Sequence, residues 1–375
     1  MPGVYIHIPF CKTRCTYCNF SFVVNYPEAL PARYARAVAE EIRQFSGPPA
    51  IEIDSIYFGG GTPSNVPVAQ TEGLLAACRR RFRWSEESEI AIEINPDTLT
   101  EEKARLYRAA GINRASLGAQ SFTDPELAAV GRSHTGKQIG QAYHGLRRAE
   151  FSNINLDLMI GLPGQTWTSW RDTLRRTEDL HPEHISIYML ELEPETRLGR
   201  DAAQGRVILP DDAFITEAYL ETIDRLAVTG YRHYEISNFA QPGKASRHNL
   251  KYWADAPYYG FGASSHAYFG SVRYRNEPDP ERYIRQIEET GSGMVEQIPI
   301  SPERHFREAF YLRLRRIEGV DLDAFTHAFG PDIRETHGTA IERLIEAGLL
   351  VLVDGHLRLT RSGLVLSNEV FQEFL

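Results

Sequence analysis

"VYIHIPFCKTRCTYCNF" runs from Val4 to Phe20 and places Cys11, Cys15 and Cys18 within eight residues, directly after a short apolar run. Tetrahedral zinc sites and iron-sulfur clusters ordinarily take four ligands. The spacing C-x3-C-x2-C therefore leaves one ligand to come from elsewhere in the chain or from a small molecule. His7, on the run before the loop, is a candidate fourth ligand and equally a satisfied strand histidine. Cys78 is a poor one: it shares a helical stripe with Leu74 and Leu75, where a free cysteine behaves as a small hydrophobe. A cubane held by three thiolates leaves one iron open to a small-molecule chelate.

Working outward, the same apolar run recurs. Val4 to Ile8, Ile53 to Phe58, Ile90 to Ile94, Arg114 to Leu117, Ile154 to Ile160 and His184 to Leu190 have strand length and strand composition. Between them lie helical patterns at Ala32 to Phe45, Val68 to Phe82, Glu101 to Ala110, Lys137 to Ala149 and Trp167 to Leu180. Strands alternating with helices predict an α/β fold with a parallel sheet and right-handed crossovers. Six strands rather than eight predict a partial (β/α)6 TIM-like barrel, open on one side. "GGGTPS", Gly59 to Ser64, follows the second strand, where backbone without Cβ can approach a ligand at the carboxyl end of a barrel strand.

Past Glu195 the rhythm changes to a helix at Asp211 to Val228 and a Gly-, Tyr- and Ser-rich stretch at Tyr252 to Tyr274. From about Ser301 the pattern reads as helices at His305 to Arg315, Leu322 to Phe329 and Gly338 to Ala347, then short strands at Leu349 to Val353 and His356 to Leu359, then a final helix. Three helices and a hairpin predict a winged-helix-like module. The organisation expected is thus 1–200 for the barrel, 201–300 for an extension and 301–375 for the C-terminal domain. The Gly338 to Ala347 helix carries two glutamates to one arginine, so a cap over the barrel or a partner-docking role is expected rather than nucleic-acid binding.

The bulk numbers agree. A net charge of −9 and a pI of about 5.8 lack the basic excess of a nucleic-acid footprint. Four cysteines in 375 residues, three of them clustered, read as metal binding in a reducing compartment rather than a disulfide framework. No apolar run approaches the roughly 18 residues a membrane span needs, and no secretory segment precedes the cysteines. A cytoplasmic protein without an integral membrane segment is expected.

C-x3-C-x2-C after a first strand with "GGGTPS" after a second resembles the radical S-adenosylmethionine (SAM) superfamily. The resemblance sharpens to the oxygen-independent coproporphyrinogen III oxidase group, including its HemW-type heme chaperones, through "YIHIPFC", "IEINPDTLT", "RASLGAQSF", "VGRSHTG" and "NINLDLMIGLPGQT" in that order. It implies a [4Fe-4S] cluster on Cys11, Cys15 and Cys18 with SAM at the open iron. It also implies SAM contacts at Tyr5, Tyr17, Gly60, Gly61, Thr62, Glu93, Gln120, Arg132 and Asp157. Glu93, Gln120 and Asp157 lie in or just after strands, where a polar group needs a partner or a ligand; the alternative is a network that satisfies itself. Arg132 has the local sequence of an exposed helix end, and only the resemblance assigns it.

Oxidases of the group carry a further cysteine two positions past the third ligand and an N-terminal extension. Here Phe20 takes that position and only Met1, Pro2 and Gly3 precede the strand. "RHNLKYW" matches the H-N-x-x-Y-W signature of the heme chaperones, with His248 as the expected heme ligand and His266 as an alternative or accessory one. The expected function is a heme chaperone binding the cluster, SAM and heme, with cluster or SAM state gating transfer. The alternatives are oxidative decarboxylation of coproporphyrinogen III and a zinc-stabilised binding module. A heme-acceptor apoprotein, an electron donor and a homodimer formed on heme binding are the partners the resemblance implies.

Overall fold

Strands of a parallel sheet covered on both faces need apolar side chains on both, and this is how the first strand is built: within Gly3–Ile8 only Tyr5 is not fully buried. The computed structural model describes residues 1–47 and 51–375. Six parallel strands follow in chain order: β1 (Gly3–Ile8), β2 (Ser55–Gly60), β3 (Glu89–Ile94), β4 (Arg114–Gln120), β5 (Ile154–Ile160) and β6 (His184–Met189). Each pairs with the next as expected for a partial barrel. Helices α1 (Leu30–Gln44), α2 (Val68–Arg81), α3 (Glu101–Ala109), α4 (Asp124–Ala129), α5 (Gly136–Arg148) and α6 (Trp167–Leu180) make the crossovers. Thr135 and Thr166 close capping boxes at the starts of α5 and α6.

The second strand lies two residues later than its apolar run suggests. Ile51–Glu52 is drawn off to pair with Phe82–Arg83, and the strand runs on through Gly59 and Gly60, which pair with His7 and Ile8. Strand pairing, not hydrophobicity, sets that register.

The sheet also extends at both edges. After α7 (Arg197–Ala203) and α8 (Asp212–Val228), the short strands β7 (Arg232–Glu235) and β8 (Asn238–Ala240) add antiparallel beyond β6. After α9 (Arg247–Trp253), the Gly- and Tyr-rich stretch forms β9 (Tyr258–Phe261), which pairs parallel to β1 on its free edge. An antiparallel meander continues it: β10 (His266–Phe269), β11 (Val272–Asn276) and β12 (Met294–Pro299). The result is one sheet of twelve strands whose two ends do not pair with each other among the described residues, so the barrel stays open.

The C-terminal unit has helices Pro302–Leu314, Leu322–Phe329 and Ile333–Glu346, the last kinked at His337. A hairpin, Leu350–Val353 with His356–Leu359, is joined by Val320–Asp321. Two short helices, Arg361–Val365 and Ser367–Gln372, stand where a single final helix is expected. This unit packs on the barrel through Arg273 with Glu308 and through Arg315, whose guanidinium lies 4.3 Å over the Trp253 ring.

Candidate functional site

The cysteine loop leaves the carboxyl end of β1, the end at which barrel folds place their chemistry. It is pinned by backbone: Cys11 N–H donates to Val23 O at 3.0 Å, Thr16 N–H to Val130 O at 3.0 Å, and Thr16 O accepts from Leu198 N–H at 2.8 Å. Beneath it Tyr17 packs on Val130, Met159, Leu162 and Leu198. Cys11, Cys15 and Cys18 are each half-buried. Thr62 Oγ1 donates toward Cys11 Sγ at 3.4 Å, and Arg132 Nη1 lies 3.6 Å from Cys15 Sγ. Burial pushes the Cys11 thiol up to about 11 and raises that of Cys18 as well. Bare thiolates are thus disfavoured there, and a hydroxyl and a guanidinium aimed at the sulfurs suit thiolates that ligate a cation. The donor set fits a cluster with three cysteine ligands. Cys78 sits apart in α2, fully buried and pushed up to about 12, as a small hydrophobe.

The glycine motif has a tighter reason than access for a ligand. Gly60 has φ of +115°, and a Cβ there would lie 2.5 Å from the His7 ring; one on Gly61 would lie 2.9 Å from the Pro9 carbonyl carbon. Gly61 N–H donates to Ile8 O at 2.9 Å and Thr62 N–H to Phe10 O at 3.1 Å. The glycines let β2 run flush against the root of the cysteine loop, and the Thr62 hydroxyl reaches Cys11 as a consequence.

Below the loop a polar band crosses the barrel interior. In parallel strands paired residues share a face, so the pairings Tyr5 with Tyr57, Glu93 with Ser116 and Gly118 with Asp157 carry the band around the sheet. Glu93 accepts from Tyr57 Oη at 2.9 Å and from Gly60 N–H at 3.1 Å; burial, then the Asp157 charge, lifts its carboxyl to about 7. Asp157 accepts from Ser116 at 3.0 Å and Asn155 at 2.8 Å, and burial raises its pKa too. Both carboxylates are therefore held by protein donors. Gln120 differs: it is 8% exposed, stands at φ of +64°, and its amide has no hydrogen-bond partner among the described residues. A side chain other than glycine held at positive φ with an unpaired amide is what a ligand-facing position looks like.

Arg132 is not the exposed helix end its local sequence suggests. His134 Nε2 pairs with Ala119 O at 3.1 Å and folds the segment after α4 back over β4. The Arg132 guanidinium then donates to Asn95 Oδ1 at 2.9 Å and Gly118 O at 2.8 Å while facing Cys15. Burial works against its charge, but Tyr17, Cys15 and Asp97 more than offset this and its pKa is raised. Two participants were missed from sequence: Asn95, which joins Arg132 to Thr62, and Tyr57, which holds Glu93. Asn95 lies inside "IEINPDTLT", and Tyr57 is the cross-strand partner of Tyr5; both signals were available.

His248, the heme ligand expected from the sequence, is a buried residue in the structure. It lies on α9 at the opposite end of the barrel, under Gly3 and Ser55, which begin β1 and β2. It is 1% exposed; its Nδ1 pairs with Ser55 Oγ and its Nε2 with Tyr252 Oη, each at 3.0 Å. Its ring stacks on Tyr57 at 5.1 Å, and burial, with Lys251 second, lowers its pKa to about 3. Glu89 caps α9, accepting from the backbone N–H of His248 at 3.0 Å and of Arg247 at 3.1 Å. With both ring nitrogens occupied, the imidazole closes the floor of the barrel instead of facing an open pocket. His266, at the start of β10, is exposed at the same end as the cysteines and lacks a ring hydrogen bond among the described residues.

Comparison with known proteins agrees with this architecture. The radical SAM superfamily model matches residues 5–177, and the HemN C-terminal domain model matches residues 300–366. The chain is 35% identical to the heme chaperone HemW of Bacillus subtilis, covering 100% of this chain and 99% of that one. It is 33% identical to HemW of Lactococcus lactis, covering 100% and 97%. Its fold matches the coproporphyrinogen III oxidase HemN of Escherichia coli with a TM-score of 0.86 at 25% identity, over 100% of this chain and 90% of that one. The similarity thus runs along the full length of the chain, and the chain belongs to the HemW-like family of radical SAM proteins.

Proposed function

We propose that this chain is a heme chaperone that carries a [4Fe-4S] cluster on Cys11, Cys15 and Cys18, binds SAM beside it, and binds heme for delivery to an acceptor protein. The observation that carries the cluster and SAM part is the three-thiol loop, one ligand short of a closed site, set above a polar band with Thr62 and Arg132 turned to its sulfurs. Tyr5, Tyr17, Gly60, Gly61, Thr62, Glu93, Gln120, Arg132 and Asp157 are the proposed SAM-binding positions, with the unpaired Gln120 amide the group with most to offer a ligand. A cluster with SAM supplies one-electron chemistry. The protein's own contribution is to hold the thiolates, desolvate them and set the charge around them.

Heme handling is supported by the full-length similarity to heme chaperones and by Phe20 at the position where oxidases of the group carry a further cysteine. Residues 1–200 would hold the cluster and SAM, 201–300 the heme-handling extension, and 301–375 a capping or docking unit. For His248 to ligate heme, α9 would have to release it from Ser55 and Tyr252. An acceptor apoprotein and an electron donor complete the reading, as does dimerisation on heme binding, which sizing of loaded against unloaded protein would test. No helix among the described residues is long and apolar enough to cross a membrane.

The test is anaerobic hemin titration of cluster-reconstituted protein. Saturable, stoichiometric binding supports the reading, and failure to bind overturns it. Heme release indifferent to both SAM and cluster redox state would remove the gating step. A second reading, coproporphyrinogen oxidation, is favoured by the fold match to the Escherichia coli oxidase; anaerobic decarboxylation of coproporphyrinogen III with SAM and a reductant would establish it.

A further inference from the structure

The helix that carries His248, α9, is held at its two ends by different parts of the molecule. At its start Glu89 of β3 accepts from the backbone N–H of Arg247 at 3.1 Å and of His248 at 3.0 Å, which fixes that end to the barrel. Its far end is gripped by the C-terminal unit. On the helix Pro302–Leu314, Arg313 Nη2 donates to Ala254 O at 3.2 Å, and His305 Nε2 pairs with Asp255 Oδ2 at 2.6 Å. Arg315, one residue past that helix, lies 4.3 Å over the Trp253 ring. The Arg313 guanidinium also lies over the Phe329 ring at 5.0 Å and the Phe325 ring at 5.7 Å, so the grip is anchored in the core of the C-terminal unit.

This seam is not fully satisfied. Trp253 Nε1 and Arg315 Nε are buried without a hydrogen-bond partner among the described residues, and so is Glu235 Oε2, which faces Arg315 only at 3.7 Å. Asp255 stands at φ of +56°, a setting that side chains other than glycine rarely adopt. Unpaired buried polar atoms and a backbone held off its preferred region both raise the free energy of the closed arrangement. Water would pair the same atoms once the seam parted. The contacts from the C-terminal unit are thus what keep the far end of α9 down.

His248 meets a heme iron only when α9 has left Ser55 and the floor of the barrel. When the competent form is a fraction of the population, apparent affinity falls by that fraction, and loosening the closed form raises it. Resting on the heme-chaperone reading with His248 as ligand, we infer that the C-terminal unit is a latch on α9, holding the heme-binding helix shut through Arg313, His305 and Arg315 and so setting how readily heme is taken up.

The experiment is hemin titration, by absorbance, of cluster-reconstituted full-length protein as parent, Asp255→Gly, His305→Ala, Arg313→Met and His248→Ala. Amide hydrogen exchange over residues 247–255 of the hemin-free forms accompanies it. Asp255→Gly decides the matter, because it removes the partner of His305 while glycine suits the positive φ, so the fold is spared. It is expected to bind hemin about fivefold or more tighter than the parent, the lower end of usual coupling between sites, with faster exchange over 247–255. His305→Ala and Arg313→Met, which size the separate contacts, shift in the same direction. A purely structural role for these residues would weaken binding, not strengthen it. Affinity in Asp255→Gly equal to or below the parent's overturns the latch and leaves the chaperone reading intact. Parent-like affinity in His248→Ala overturns it too, since the helix would then have nothing to withhold. If the parent takes up no hemin, the chaperone reading fails and the latch fails with it.

Discussion

The Arg132 guanidinium lies 3.6 Å from the Cys15 sulfur, across 117 residues of sequence, and the same guanidinium is locked by Asn95 and Gly118. A cation fixed at that distance complements the negative charge of a metal cluster held through that sulfur. Arg132→Ala is therefore expected to weaken cluster retention by about 10- to 100-fold, the usual size of such outer contacts. Iron loss to a chelator under anaerobic conditions measures it. Retention equal to the parent would show that the contact does not act on the cluster.

Cys15→Ala removes one of the three proposed cluster ligands. It is expected to abolish the iron and sulfide content of reconstituted protein while leaving saturable hemin binding, because the proposed heme ligand is a histidine outside the cysteine loop. Parallel iron analysis and hemin titration check this. Loss of both in one variant would mean that the fold depends on the cluster.

Glu93 gives a pH signature. Its carboxyl is raised from an unfolded value near 4.5 to about 7, chiefly by burial and then by Asp157. Between those values the folded state holds a proton that the unfolded chain has released, so stability falls as pH rises through this window. The difference corresponds to roughly 3 kcal/mol for this one group. Glu93→Gln, neutral at every pH, should flatten that part of the urea-unfolding profile of cluster-free protein between pH 4.5 and 7. An unchanged slope would place the titration on other buried carboxyls.

Gly60→Ala meets two obstacles. The backbone φ of +115° is strained for any side chain, and the added Cβ would lie 2.5 Å from the His7 ring. The expected cost is about 1–3 kcal/mol from the backbone alone. Because Gly60 N–H also holds Glu93 and the next residues anchor the cysteine loop, iron content should fall with the melting temperature. A stable variant with full iron would show that the loop does not depend on this strand.

His248→Ala is expected to cost about 2–4 kcal/mol, through the cavity under Gly3 and the buried Ser55 hydroxyl and half-buried Tyr252 hydroxyl left unpaired. The urea midpoint reads it. The exposed His266→Ala should leave that midpoint within about 0.5 kcal/mol of the parent, as surface changes usually do.

Much of this was legible in one dimension. The six barrel strands, five of the six crossover helices and the C-terminal helices and hairpin follow from apolar periodicity, because a parallel sheet covered on both faces demands continuous apolar runs. What failed were elements whose signal is weak or nonlocal. β7 and β8 are three or four residues long, and β9 to β12 are four to six residues long with partly exposed faces, so none carries a continuous apolar run. Such strands exist through their neighbours rather than through their own composition.

At the site the division has the same cause. Local spacing by itself identified the cysteine loop, the strand before it and the glycine motif, since three thiols that must converge and backbone that must pass close leave marks a few residues apart. Only the tertiary structure decided which distant groups meet them. It brought Arg132 from an apparent helix end to Cys15, joined it through Asn95 to Thr62, and sealed His248 beneath Ser55 while leaving His266 open. Whether a histidine or an arginine is free or engaged is a property of what packs against it, and no residue type or spacing encodes that.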